Sequence, residues 1–344
     1  MAVKIMAIDM HAHWIPKALS DVLRKRTERP KIGLTSDGQE FIDCELPSLR
    51  VPKGFDDLAT RLADMERNGI THGVLSLSTV YGVEGLPLGE SIALCRLYND
   101  SISAACATHP ERFSGLAALP GADLEAMRAE LERALELPGM VGALLPGDGF
   151  LSVQRAERFR PLFEAAERHR SILLIHYGRL FDDPDAPRAD TSDNAHARIG
   201  TLDMQARLSS NMITFCLSDF LADYPNVTVL SHNLGGNLPF EVERLDHRIL
   251  VDRPGDELPS RRIRAARVLV DCNSFGARAI ERAVEVYGAD RIVLGSDGTD
   301  FGMKWSRDAI AGARITEAEK QAILDGNAAS ALARVKRPRA AAAA

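Results

Sequence analysis

The 344-residue sequence predicts an α/β protein, a single-domain (β/α)8 TIM barrel with long strand-to-helix loops over its working face. Three observations predict it. Short aliphatic runs recur eight times, each of a length that suits a strand buried on both faces. Amphipathic patterns separate them, and strands joined through helices require right-handed crossovers and a parallel sheet. Histidine or aspartate closes several runs at their C-terminal ends, where a parallel barrel builds its active site.

The expected strands span 4–9, 71–77, 113–119, 140–145, 171–176, 227–232, 267–272 and 291–296. Leu58, Leu62 and Met65 share one face of a first helix. Ile92, Cys95, Ile102 and Cys106 mark a second, interrupted one. Met127, Leu131 and Leu135 mark a third, and Phe159, Leu162, Phe163 and Ala166 a fourth. Helices over 202–220, 240–250, 277–286 and 317–332 complete the set. Two insertions exceed a minimal barrel. Residues 29–54 are rich in Pro and Gly, with a strand-like piece at 40–44, and residues 177–197 are rich in Asp, Pro and Arg. Both follow strands, so both are expected over the active site. The barrel is expected to fill 1–335, leaving 336–344 as a flexible tail.

Composition narrows the function. Apolar residues make up 45% of the chain, enough to bury a core without disulfides. A net charge of −6 and no basic stripe argue against a nucleic-acid partner. The cluster Arg261, Arg262, Arg264, Arg267 reads as a solvated helix face. Five scattered cysteines without a CxxC pair read as reduced, buried thiols. The N-terminal apolar run is too short for a secretory signal, and no stretch of about 18 apolar residues crosses a membrane. The expectation is a cytoplasmic enzyme.

The chemistry begins at His11-Ala12-His13, just past the first expected strand. In extended chain, residues i and i+2 point the same way, so both imidazoles can face one ion. An isolated HxH is equally two surface histidines. Other strand ends change that. Strand five ends in His176, strand six in His232 and strand eight leads into Asp297. All converge on one barrel mouth. His11, His13, His176 and Asp297 are the expected ligands of one divalent ion, with Zn2+ the first choice and Mn2+ the alternative. Three imidazoles and a carboxylate leave a position open to water or substrate, the mark of a catalytic site. His232 is free to act as general acid or base, and Asp297 joins it as a catalytic residue. After His232 runs Asn-Leu-Gly-Gly-Asn-Leu-Pro-Phe, whose glycines permit tight backbone passage near a ligand. His72, His109, His169, His196 and His247 lack such placement and read as structural.

Three segments together resemble the amidohydrolase superfamily, and within it the branch of 2-amino-3-carboxymuconate 6-semialdehyde decarboxylase and the aromatic-acid decarboxylases. They are Ile8-Asp-Met-His-Ala-His-Trp-Ile-Pro16, Ser231-His-Asn-Leu-Gly-Gly-Asn-Leu-Pro-Phe240 and Gly295-Ser-Asp297. The resemblance implies a mononuclear metal on His11, His13, His176 and Asp297, His232 as proton handler, non-oxidative loss of a carboxylate from an unsaturated or aromatic ring, no organic cofactor, and a homodimer. Two departures stand out: Asp297 is followed by Gly-Thr-Asp300-Phe-Gly302, and His232 by Asn-Leu before its glycines. The first reshapes the loop beside the metal, where Asp300 either enters the pocket or stays a surface carboxylate.

A carboxylic-acid substrate calls for a bidentate arginine. Arg50 lies close to where the resembling decarboxylase carries one, and Arg179 competes for the role. Trp14 is placed either to wall the pocket or to pack in a loop. A hydrolase of amides, lactones or esters, or a hydratase, remains the alternative on the same scaffold. A non-catalytic binding protein is a third class, disfavoured by an open metal site.

Overall fold

The computed structural model describes residues 7–44, 49–181, 192–194, 197–298 and 302–336. Its strands are β1 (Ile8–His13), β2 (Lys31–Leu34), β3 (Glu40–Asp43), β4 (Leu49–Arg50), β5 (His72–Ser76), β6 (Phe113–Ala117), β7 (Met140–Pro146), β8 (Ile172–His176), β9 (Thr228–Ser231), β10 (Val268–Asp271) and β11 (Ile292–Val293). Eight of them form one sheet in the order β1-β5-β6-β7-β8-β9-β10-β11. Each of its ladders is parallel. The seam closes where Met10 N donates to Leu294 O at 2.9 Å and Ser296 N donates to His11 O at 3.1 Å. The expected single-domain (β/α)8 barrel is therefore what the chain forms.

Every expected barrel run contains a strand, but the first is displaced. It spans Ile8–His13 rather than 4–9, so the HxH pair lies inside β1 and not just past it. Residues 4–6 of that expectation lie outside the described residues. The cause is pairing on both sides: β5 follows β1 as far as His13↔Ser76, and His11 O accepts from the β11 side. A bulge separates Asp9 from Ala12 in the β1–β5 register. Ile8 and Met10 face the barrel interior with Leu174 and Leu230. The extra residue resets the strict alternation, so His11 and His13 also turn inward.

The helices follow the apolar periods. Asp57 caps Leu58–Arg67 through Thr60 N, and Asp123 caps Leu124–Leu135 through Ala126 N. The second helix is continuous over Leu88–Thr108, not interrupted. The polar residue that breaks its pattern, Asn99, is buried and bonded to Ala118 O and Glu130 Oε1. Later helices run Met204–Cys216, Leu238–Asp252 and Ala277–Tyr287. The expected 317–332 helix divides, and its last part, Asn327–Arg334, plugs the barrel floor with Ala328, Ala331 and Leu332.

The first long loop holds more than a strand-like piece. A helix, Lys17–Leu23, precedes an antiparallel sheet of β2, β3 and β4. All five cysteines are buried, and no disulfide joins them among the described residues. No helix among the described residues is long and apolar enough to cross a membrane. Of the histidines read as structural, His72 bonds Glu111 O and Ser114 Oγ at the start of β5, and His196 lies outside the described residues.

Candidate metal centre

Strand geometry delivers four ring systems and a carboxylate to one buried point. His11 Nε2 lies 3.1 Å from His13 Nε2, which lies 3.1 Å from His176 Nε2. Asp297 Oδ1 is 3.3 Å from His13 Nε2 and 4.0 Å from His11 Nε2. All are buried. The far side of each ring explains the near side. His11 Nδ1 meets Asp271 Oδ2 at 3.0 Å, and His176 Nδ1 meets Tyr177 O at 2.7 Å. Both partners only accept, so Nδ1 carries the proton and the Nε2 lone pairs face inward. His13 is anchored through Nδ1 to Ser76 Oγ at 3.0 Å. Asp297 Oδ1 is buried and accepts no hydrogen bond among the described residues. Converging lone pairs and a buried, unbonded carboxylate oxygen repel one another, and a divalent cation between them resolves the repulsion. The donor set fits such an ion.

Burial is the largest influence on the imidazoles. It holds His176 near pKa 3 and keeps His13 and His232 well below the ordinary range. Burial also opposes the charge on His11, but the charge and hydrogen bond of Asp271, with Asp297 and Asp9, raise it to about 9, so an ion bound at its Nε2 would displace a proton there. Burial likewise pushes the Asp297 carboxyl up.

His232 stacks on His176 with ring centroids 4.3 Å apart and planes 13° off parallel. Tyr177 N donates to its Nδ1 at 3.4 Å, which leaves the proton on Nε2. Asn273 Nδ2 lies 3.3 Å from that Nε2 but gives its hydrogens to Asn233 Oδ1 and Asp297 Oδ2, at 3.0 and 3.2 Å. The Asn233 side chain also bonds His232, so neutral amides and no carboxylate hold its Nε2–H edge among the described residues. A ligand atom of His232 also falls within 4.8 Å of those of His11 and His176.

The barrel mouth is strained where it carries function. Asp297 sits at φ 53, Asn233 at 50, Leu234 at 51 and Ser274 at 62, all at the tops of β9, β10 and β11. The glycines after His232 need a correction. They permit close helix packing, not ligand approach: a Cβ on Gly236 would collide with Gln205 O and one on Gly235 with Met212.

Sequence reasoning missed Asp271, Asn273, Asp9 and Arg61. The run Val268-Leu-Val-Asp271-Cys-Asn273 ends an apolar strand in polar residues, the same signal that found His176. Asp9 Oδ1 accepts from His11 N at 3.2 Å and Ser296 N at 3.0 Å, and its Oδ2 accepts from Ser296 Oγ, fastening the β1–β11 seam. Arg61 is 6% exposed. A Cβ on Gly298 would come within 3.0 Å of its guanidinium, which stands beside Ser296 and Asp9. Its Nε has no hydrogen-bond partner among the described residues.

The expected acid-binding residues fare differently. Arg50 is not brought to the cluster. It sits on β4 with its side chain 61% exposed, bonded to Gln39 Oε1 at 3.1 Å and 3.6 Å from Asp37. The pairing of Phe41 with Arg50 fixes that direction. Arg179 is exposed, three residues past His176. Trp14 is buried in the main core beside the HxH pair. Asp300 lies outside the described residues.

The amidohydrolase family model matches residues 8–334. The chain belongs to the amidohydrolase family. This amidohydrolase is 26% identical over 285 residues to γ-resorcylate decarboxylase of Rhizobium sp. (strain MTP-10005), covering 78% of the chain and 85% of the relative. It is 25% identical over 311 residues to the γ-resorcylate decarboxylase of Polaromonas sp., covering 80% and 90%. Among solved structures, 5-carboxyvanillate decarboxylase from Sphingomonas paucimobilis superposes with TM-score 0.71 at 21% identity, over 96% of this chain and 99% of that one. Dihydroxybenzoic acid decarboxylase from Polaromonas sp., with bound manganese, superposes with TM-score 0.66 at 21% identity, over 95% and 96%. At such identity the structures speak for the fold. The clustered His and Asp groups of this chain are themselves of the kind that could hold a divalent ion.

Proposed function

We propose that this amidohydrolase is a metal-dependent carboxy-lyase that removes a carboxylate as carbon dioxide from a small aromatic or unsaturated acid. His11, His13, His176 and Asp297 are its proposed ligands, and no organic cofactor takes part. The carrying observation is His232: a neutral imidazole stacked on His176, whose Nδ1 takes a backbone N–H and whose Nε2 carries the proton beside the Asn233 and Asn273 amides. In decarboxylation the bond between ring carbon and carboxylate breaks, its electron pair stays on the ring carbon, and that carbon takes a proton. His232 Nε2–H is the donor. The bound cation supplies fixed positive charge that draws electron density from the acid's oxygens. Asp271 holds His11 in its ligating tautomer, and Asn273 orients Asp297 by donating to Oδ2. Arg61, a buried cation beside Asp9 and with no closer ion pair among the described residues, supports the acid's negative charge in place of Arg50. Arg179 and Trp14 are proposed walls of the substrate pocket.

Three imidazoles and one carboxylate suit a borderline cation, so Zn2+ is the first choice and Mn2+ the alternative. A homodimer in the cytoplasm is proposed as the working state. Phe240 and Val251, both more than half exposed, lie eleven residues apart on Leu238–Asp252 and so share one helix face. That apolar face suits a second copy.

The test is incubation of the metal-loaded enzyme with 2,6-dihydroxybenzoate, 5-carboxyvanillate and a panel of lactones and esters. Carbon dioxide released with the matching decarboxylated ring is the expected result. Hydrolysis of a lactone or ester, with no carbon dioxide from any acid, would replace this reading with the hydrolase.

A further inference from the structure

A second polar cavity lies at the opposite end of the barrel from the metal centre. Its volume is about 290 Å³, and Thr228, Arg267, Asp290, Arg291, Asn327 and Arg334 are among the residues lining it. These residues stand at the starts of β9, β10 and β11 and on the helix Asn327–Arg334 that plugs the floor. Three guanidinium groups face one carboxylate there. Asp290 is already shared, 3.1 Å from Arg264 and 3.7 Å from Arg291. Arg267 donates to Pro225 O at 2.6 Å and Leu221 O at 3.4 Å, and Arg334 to Pro225 O at 3.5 Å. Backbone carbonyls hold these forks in place without neutralising them. Each keeps further N–H groups to give.

Two buried polar atoms add unused hydrogen-bonding capacity. Arg291 Nε and Thr228 Oγ1 have no hydrogen-bond partner among the described residues. Thr228 is only 5% exposed, so water does not readily serve it. A surplus of fixed positive charge, a hydroxyl and unused donors around one cavity define an anion site. Arg267 therefore does more than belong to the solvated basic face that its sequence suggested.

We infer that this cavity binds a small, multiply charged oxyanion: a phosphate ester or a dicarboxylate. Arginine forks match either group bidentately, and the volume exceeds that of one phosphate. The occupant bridges the floor helix to the three strands whose other ends lead to His232, Asn273 and Asp297. It binds the folded form and raises its stability. The inference is independent of the reaction performed at the metal.

Thermal unfolding of the metal-loaded enzyme, titrated with inorganic phosphate and with succinate at constant ionic strength, tests it. The metal content is measured before and after. A saturable rise in Tm with either anion, absent with chloride, is expected. Saturation by phosphate alone assigns the phosphate-ester class, and by succinate alone the dicarboxylate class. The paired substitution Arg291→Gln with Arg334→Gln should weaken apparent affinity by at least about tenfold, and Thr228→Val, which keeps shape and removes the hydroxyl, by severalfold. Arg314→Gln, on an exposed arginine paired with Glu281, should leave it unchanged. No saturable rise overturns the proposal. So does a rise of unchanged affinity in the paired and Thr228 variants, since the anion then binds elsewhere, the metal centre included.

Discussion

Asp271 Oδ2 lies 3.0 Å from His11 Nδ1, and neither side chain has any exposed surface. The other oxygen of Asp271 accepts from Asn233 N at 3.2 Å and Asn273 N at 3.0 Å, so the carboxylate is fixed before it fixes the imidazole. A carboxylate behind a ligating histidine sets its tautomer and raises its basicity. Asp271→Asn keeps an oxygen for Nδ1–H but removes the charge. Metal affinity should fall about 10- to 100-fold, as read by competition with a chelating dye. Wild-type affinity in that variant would mean that Asp271 holds structure alone.

Asp297 brings the only carboxylate that reaches the imidazole Nε2 atoms among the described residues, and it does so from a left-handed backbone conformation. Asp297→Ala should lower bound metal and turnover in the same proportion, measured by elemental analysis beside a rate assay. Full metal occupancy with lost activity would move Asp297 from ligand to proton carrier.

His232 should separate from the ligands in the same two measurements. Its Nδ1 takes a backbone N–H and its Nε2 carries the proton, whereas His11 and His176 are held by acceptors at Nδ1 and turn Nε2 toward the cluster. His232→Gln should cut turnover at least about 100-fold, the usual size of a general-acid contribution. Most of the metal should stay. A variant that loses the ion would make His232 a ligand, in keeping with its approach to His11 and His176.

The barrel and the meeting of its histidines with Asp297 were legible because each signal was local. Strands such as Ile172–His176 are buried on both faces and read as unbroken apolar runs, and one polar residue at the end stands out. Asp271 carried that signal as well, in a strand end that was passed over. What stayed hidden depends on neighbours distant in sequence. The bulge in β1 follows from simultaneous pairing with β5 and the β11 side, so the strand's end was misplaced. Asp9 works across a seam joining residues 287 positions apart. The direction of Arg50 was set by two-residue β4 pairing with β3, in a small sheet whose strands are too short to show alternation.

Glu84 links the stability of the fold to pH. Its carboxyl is buried at 4% exposure, its Oε2 accepts no hydrogen bond among the described residues, and burial raises its pKa from 4.5 to about 8. The folded chain therefore keeps this proton to a higher pH than the unfolded chain does. Between about pH 4.5 and 8 the unfolded state binds fewer protons, so the Glu84 contribution to stability falls as pH rises and levels off above 8. Glu84→Gln removes the titration and keeps the shape. Its stability relative to wild type should increase from pH 5 to pH 8 by a few kcal/mol, on the order expected for a shift of this size. Urea unfolding of metal-saturated protein at pH 5, 6, 7 and 8 measures it. Parallel curves for the two proteins across that range would mean that the carboxyl ionises in the folded state as it does in water.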